Sequence, residues 1–410
     1  MGFHIVKRDS CPMWKKLSLY LGAVLLALVV GGLLLLAIGV NPIAYYQRMF
    51  TMGMIGNKIA YKTFENYLKV FVPLVLTSVA LSLAFKMRFW NIGGEDQFIL
   101  GAVAAGAVAL KLGSVLPEGV TLLLMCLAGM LAAGLYGALV AALKVKFGTN
   151  ETLMTLMLNY VALYFLVFLG ETQASWNFFL DTSSARPVFA NFSKEVSFPT
   201  IPIGKFQLNV CVIFTLIIGV LVYGYLKYSK QGYEISVVGD SENTARYAGI
   251  NVKKVTIRTM AISGAICGLA GFIAVAGASH TISTSTAGGR GFTAIIVAWL
   301  AQFNTFVMIL ISFLLVFLQQ GAIQIASQFN LNDYASEIIT GDMPTPVKYH
   351  SQEIRAAYAE VEDLAVEHLV SMLPEDLRED YRQVMTMSGP EDEPLQPLVK
   401  AADKISAVIK

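Results

Sequence analysis

Leu17–Val40 reads LSLYLGAVLLALVVGGLLLLAIGV, 24 consecutive residues without a charge. About 20 predominantly apolar residues suffice to cross the hydrocarbon core of a bilayer. The run is too long for the apolar core of a signal peptide and no A-x-A site follows it, so it reads as a retained first helix. Outward from it, similar runs occupy 70–86, 97–112, 120–143, 152–170, 208–226, 259–279, 291–303 and 305–324. The third and eighth segments are short or rich in Gly and Ala, and read as candidates for broken or re-entrant helices. The expected fold is all-α: a polytopic transmembrane helix bundle of about nine spans, followed by a short soluble α-helical fragment.

Composition supports the same class. Of 410 residues, 56% are apolar and 14% charged, with a mean hydropathy of +0.62. Soluble domains carry about 25% charged residues, so a soluble globular protein is excluded. The net charge of +2 hides an asymmetry. Residues 1–331 hold 23 Lys/Arg against 12 Asp/Glu, and 332–410 hold 7 against 16. Blocks of +11 and −9 imply two environments or two origins. Cys11, Cys126, Cys211 and Cys267 form no CxxC pair and the histidines are scattered, so no metal site is expected. With the amino terminus inside, the inner loops hold 14 Lys/Arg and the outer loops 8. The positive-inside bias therefore predicts a cytoplasmic amino terminus.

Small residues recur every four positions at Gly129, Ala133 and Gly137, and again at Gly264 and Gly268. That spacing lets helix backbones approach closely in lipid, although Gly and Ala are also simply common in membrane helices.

Three polar stretches stand out. The basic loop 227–258 contains Ser241, suited to cap a short helix running through Arg246 or Tyr247, and Gly249, suited to a left-handed stop. It reads as a lever for a partner, or as a solvated loop. In 148–160, GTNETLMTLMLNY, Glu151, Thr155 and Asn159 share one helix face entering the membrane. Polar residues there line a path or serve as interhelical glue. In 89–102, FWNIGGEDQFILGA, Gly93–Gly94 beside Glu95, Asp96 and Gln97 suggest a broken helix, or an ordinary capped loop. The P-loop, HExxH and GxSxG patterns are absent, so the chain is not expected to be an enzyme and ATP hydrolysis must come from another chain.

Residues 1 to about 341 resemble the inner-membrane permeases of ABC importers, in the branched-chain amino acid/simple sugar superfamily and its nucleoside-type subgroup. The subgroup's NIGAEGQ-like motif stands here as Asn91-Ile92-Gly93-Gly94-Glu95-Asp96-Gln97. Asn150, Glu151, Thr155, Met157, Asn159 and Tyr160 match a second motif; Gly239, Ala245, Tyr247, Ala248, Gly249 and Ile250 match a third; and Gly289-Arg290-Gly291-Phe292 matches a fourth. The resemblance implies a permease for nucleosides or a related small polar solute in a bacterial inner membrane. Its implied partners are a cytoplasmic ATP-binding subunit, a second permease, an external substrate-binding lipoprotein and membrane lipid, with no nucleic acid and no cofactor of its own. Asn91, Glu95, Gln97, Glu151, Thr155 and Asn159 are then expected along the substrate path. Gly239, Asp240, Asn243, Arg246, Tyr247 and Gly249 are expected in the ATPase-coupling helix. The rival classes are an ATP-independent secondary transporter and a membrane-tethered phosphohydrolase.

The second rival arises from the tail, where Ser351–Met372 reads as a soluble amphipathic helix. The run Ser336–Tyr349, then Leu373–Arg378 and Val399–Asp403, resembles the HD-domain 5′-deoxynucleotidases, with Glu337, Asp342 and Asp403 at matching site positions. The His-Asp pair expected just upstream is replaced by Asp333-Tyr334, and the earlier histidine ligand has no counterpart. The remaining carboxylates do not make a divalent-metal site, and hydrolase activity is not expected. The expected domains are 1–336, a permease lacking its last span, and 337–410, a truncated HD-like fragment. The two would be joined as a chimera within Ala335–Gly341, a string plausible in both families.

Overall fold

The computed structural model describes residues 13–37, 39–51, 60–181, 184, 186–193 and 196–326. The reading of Ser351–Met372 as a helix and the tail residues Glu337, Asp342 and Asp403 lie outside these described residues. The chain divides into two units, Met1–Leu35 with Ala326–Lys410, and Leu36–Ile325. In the first, the described part is essentially helix α1 (Met13–Ala37). The second contains everything that follows.

After α2 (Pro42–Phe50), the long helices are α3 (Ala60–Lys86), α4 (Gly94–Leu112), α5 (Glu118–Phe147) and α6 (Glu151–Glu171). A hairpin of β1 (Thr200–Ile203) and β2 (Phe206–Asn209) precedes α7 (Cys211–Tyr228). Next come α8 (Lys230–Asp240), α9 (Glu242–Tyr247), α10 (Val252–Ala274) with a single π-helical turn over Val275–Ser279, α11 (Arg290–Leu300) and α12 (Thr305–Ala326). The hairpin pairs Thr200 with Asn209 and Ile203 with Phe206, and turns at Gly204, whose φ of +65° favours glycine. This hairpin was not anticipated from the sequence.

The expectation of about nine spans is corrected. Among the described residues six helices are long and apolar enough to cross a membrane: α3, α5, α6, α7, α10 with its π turn, and α12. Helix α11 has only 11 residues. Helix α4 has 19 residues but carries Glu95, Asp96 and Lys111. The two segments read as candidates for broken or re-entrant helices are therefore α4 and α11.

Burial separates core from rim. In the apolar windows of α3 and α10, 89% and 83% of the residues are buried, against 33% in α5 and 28% in each of α6, α7 and α12. The rim helices expose Leu123, Leu131, Leu135, Phe165, Leu221 and Leu310, an apolar surface suited to lipid. Helix α3 carries Pro73 in its interior, and just after it Thr77 Oγ1 donates to Pro73 O at 2.8 Å and Ser78 Oγ to Leu74 O at 2.7 Å.

The helices α4, α5 and α10 meet backbone to backbone. A Cβ on Gly268 would sit 2.2 Å from the Gly129 carbonyl oxygen, one on Gly264 2.4 Å from that of Ala133, and one on Gly101 2.3 Å from the Gly268 Cα. Such approach requires glycine. The four-residue spacing at 129–137 and 264–268 is thus a packing seam. Gly268→Leu is expected to destabilise the protein by about 3 kcal/mol or more through overpacking, read as a lowered thermal midpoint in detergent. An unchanged midpoint would refute the seam.

Candidate functional site

The segment between α3 and α4 leaves backbone groups outside any helix ladder, and α6 supplies their partners. Thr155 Oγ1 accepts the Ile92 N–H at 3.2 Å; Asn159 Nδ2 donates to the Ile92 carbonyl at 3.0 Å and its Oδ1 accepts the Asp96 N–H at 2.9 Å. Asn91 and Gln97 pair their side-chain amides reciprocally at 3.4 Å, and Asn91 Oδ1 also accepts the Gly93 N–H at 3.0 Å. Asn91, Gln97 and Thr155 are fully buried, and Asn159 nearly so. Four of the six residues expected along the path are therefore gathered in one closed polar node, which satisfies buried backbone that lipid cannot.

The other two have different partners. Asn150 caps α6, and Gly148 stops α5 with φ +66°. This tight turn brings Glu151 to Lys144 in the last turn of α5, at 2.7 Å. Glu95 lies at the start of α4 and reaches the start of α11. Its two carboxylate oxygens accept the N–H groups of Gly289 at 2.8 Å and Gly291 at 2.6 Å. A Cβ on Gly291 would meet the Glu95 backbone N at 2.3 Å. An anion at a helix start is favoured by the unpaired N–H groups and the helix dipole. The far end of α11 is fastened too, Trp299 stacking on Trp90 with ring centroids 5.2 Å apart. An 11-residue helix is about 16 Å long, and its two ends are held by Glu95 and by Trp90.

Asp96, between Glu95 and Gln97, is not among the residues expected along the path. Its carboxylate is fully enclosed, packs over Gly93, and completes no hydrogen bond, since the Gln97 N–H turns to the Gly93 carbonyl at 3.2 Å. The partner of Glu95 lies in the motif Gly289-Arg290-Gly291-Phe292, a pairing across 194 residues that no local sequence pattern signals. Arg290 Nη1 donates to the Thr286 carbonyl at 2.7 Å.

The expected coupling helix is α9. Ser241 Oγ accepts the Thr244 N–H at 3.3 Å, and Gly249 takes φ +73° just past its end. Ala245 is buried, while Arg246 and Tyr247 project outward, Tyr247 being 94% exposed. Asp240 and Asn243 are also exposed. Gly239 instead faces inward: a Cβ there would lie 2.2 Å from the Lys86 carbonyl oxygen. Arg258 of α10 bridges Glu234 of α8 at 3.0 Å. The α8–α9 pair is thus mounted on the end of α3 and the start of α10. Among the described residues no group of three His, Cys, Asp or Glu is placed to hold a metal.

Residues 63–343 match the family described as branched-chain amino acid transport system/permease component. The chain belongs to this permease family. The nucleoside ABC transporter permease protein of Lactococcus lactis is 27% identical over 311 residues, covering 75% of this chain and 84% of that protein. The glucose ABC transporter permease protein of Haloferax volcanii is 29% identical over 306 residues, covering 72% and 77%. Residues 298–410 match the family described as 5′-deoxynucleotidase YfbR-like. A 5′-deoxynucleotidase of Pectobacterium atrosepticum is 43% identical over 76 residues, which are 18% of this chain and 38% of that enzyme. The chain is a multi-pass membrane permease of the ABC importer type, and not an enzyme.

Glu95→Ala is expected to lower stability by about 2 kcal/mol, because two N–H groups lose a charged acceptor. Asp96→Asn, which keeps the shape of a carboxyl that completes no hydrogen bond, is expected to shift it by less than about 1 kcal/mol. Thermal midpoints in detergent read both. Equal shifts of one sign would contradict this division of roles.

Proposed function

We propose that this chain is the membrane-spanning subunit of an ATP-driven importer of nucleosides or a related small polar solute. The observation that carries the reading is the mounting of α9. This short helix is capped at its start and stopped at its end, it presents Arg246 and Tyr247 outward, and it continues directly from α8, whose Gly239 and Glu234 pack on α3 and α10, the two most buried helices of the bundle. A push on α9 from a cytoplasmic ATP-binding subunit would reach α3 through the Gly239–Lys86 contact and α10 through the Arg258–Glu234 pair. The count of Lys and Arg in the loops favours placing α9, and the amino terminus, in the cytoplasm.

The solute class rests on the motifs quoted above and on relatives named for nucleosides and for glucose. ATP would be bound by the separate subunit, and this chain would need no cofactor. A second permease and an external substrate-binding lipoprotein complete the proposed assembly. Asn91, Glu95, Gln97, Glu151, Thr155 and Asn159 would border the path, with the polar node closed in the conformation described and exchanging its bonds as the bundle alternates access.

The tail has a separate origin in this reading. Residues 1–336 form the permease domain, and 337–410 are a truncated HD-type fragment joined to it. The match to the enzyme of Pectobacterium atrosepticum covers 38% of its length, and no His-Asp pair occurs in this chain.

Two experiments test these statements. Arg246→Glu reverses the outward charge of α9 and is expected to lower solute uptake about tenfold or more while membrane insertion persists; normal uptake would remove α9 from coupling. Amplification of source DNA across codons 330–345 distinguishes recombination, which yields one continuous product, from an assembly error, which yields none.

A further inference from the structure

A cavity of about 430 Å³ opens at the end of the bundle opposite α9, between the start of α3, the β1–β2 hairpin and the end of α10. Three backbone irregularities converge on it. Pro73 has no N–H to give the Lys69 carbonyl. The π turn Val275–Ser279 interrupts α10 where Gly277 lines the wall. His280 then takes a left-handed φ of +52°. Irregular backbone at the margin of a membrane bundle is tolerated where it lines a polar cavity.

The wall is also mixed in chemistry. Phe198 supplies an aromatic face, and Lys69 and Glu65 carry opposite charges that cancel. Glu65 Oε1 holds the hairpin by accepting the Gln207 N–H at 2.7 Å. Asn209 Nδ2 holds the π turn by donating to the Gly277 carbonyl at 3.0 Å. Partial enclosure, and then the Lys69 ammonium, lower the His280 pKa from its ordinary value. A neutral imidazole offers one donor and one acceptor. The volume falls within the usual range for small-molecule sites, about 300–1,000 Å³.

We propose that this cavity is a solute-binding site within the single permease chain, and that it takes an uncharged nucleoside whose flat base lies on Phe198 and whose hydroxyls meet the polar wall. The proposal rests on the importer reading and adds to it where the solute is held.

Saturation-transfer NMR on the full chain in lipid nanodiscs tests it, with uridine and glucose as probes, alongside ATP-driven uptake of both by the complete importer. Transfer to uridine is expected to exceed transfer to glucose. It is expected to fall about fivefold or more in Thr200→Trp, which fills the cavity from the exposed hairpin, and in Lys69→Gln, which leaves the packing intact. Uridine transfer unchanged in both variants overturns the cavity assignment while importer activity still stands. Preference for glucose overturns the nucleoside assignment. Absence of ATP-driven uptake of either probe by the unaltered complex removes the importer reading instead, and this site's role with it.

Discussion

The bundle depends on the contact of α4, α5 and α10 through bare backbone. In lipid, apolar side chains gain nothing by leaving one apolar neighbour for another, so association must come from close packing and interhelical polar contacts. Glycines at 101, 129, 264 and 268 bring these three helices within reach of each other's carbonyl oxygens. Ser263 adds a hydrogen bond from α10 to the Ala80 carbonyl of α3 at 2.8 Å. With α10 fixed in this way, the start of α4 and the helices around it have a firm wall on which to place polar groups.

Those polar groups divide the labour. Thr155 and Asn159 close the backbone of the α3–α4 connection, and Glu95 closes the start of α11. Neither task needs a solute, yet both create hydrogen bonds between elements that must move if the bundle is to open. At the α8–α9 end, by contrast, the contacts are made to resist motion: glycine against a carbonyl, and arginine against glutamate.

Much of this was legible in the sequence. The long apolar runs marked the six spans, the four-residue spacing of glycines marked the seam, and Ser241 with Gly249 marked the limits of α9 to the residue. The failures have physical causes. Hydropathy counted α11 as a span because it does not register that a segment may be capped by a distant carboxylate, and counted α4 although its first turn carries Glu95 and Asp96. The periodicity placed Glu151 with Thr155 and Asn159, but the turn at Gly148 folds Lys144 back onto it. Strands β1 and β2 are four residues each, too short for alternation to stand out.

The clamp between Glu95 and the amides of Gly289 and Gly291 has an electrostatic consequence. A short helix that begins inside a bundle normally offers its positive end as a trap for phosphates and carboxylates. Here a built-in carboxylate already fills that place, so the start of α11 exerts no pull on other anions.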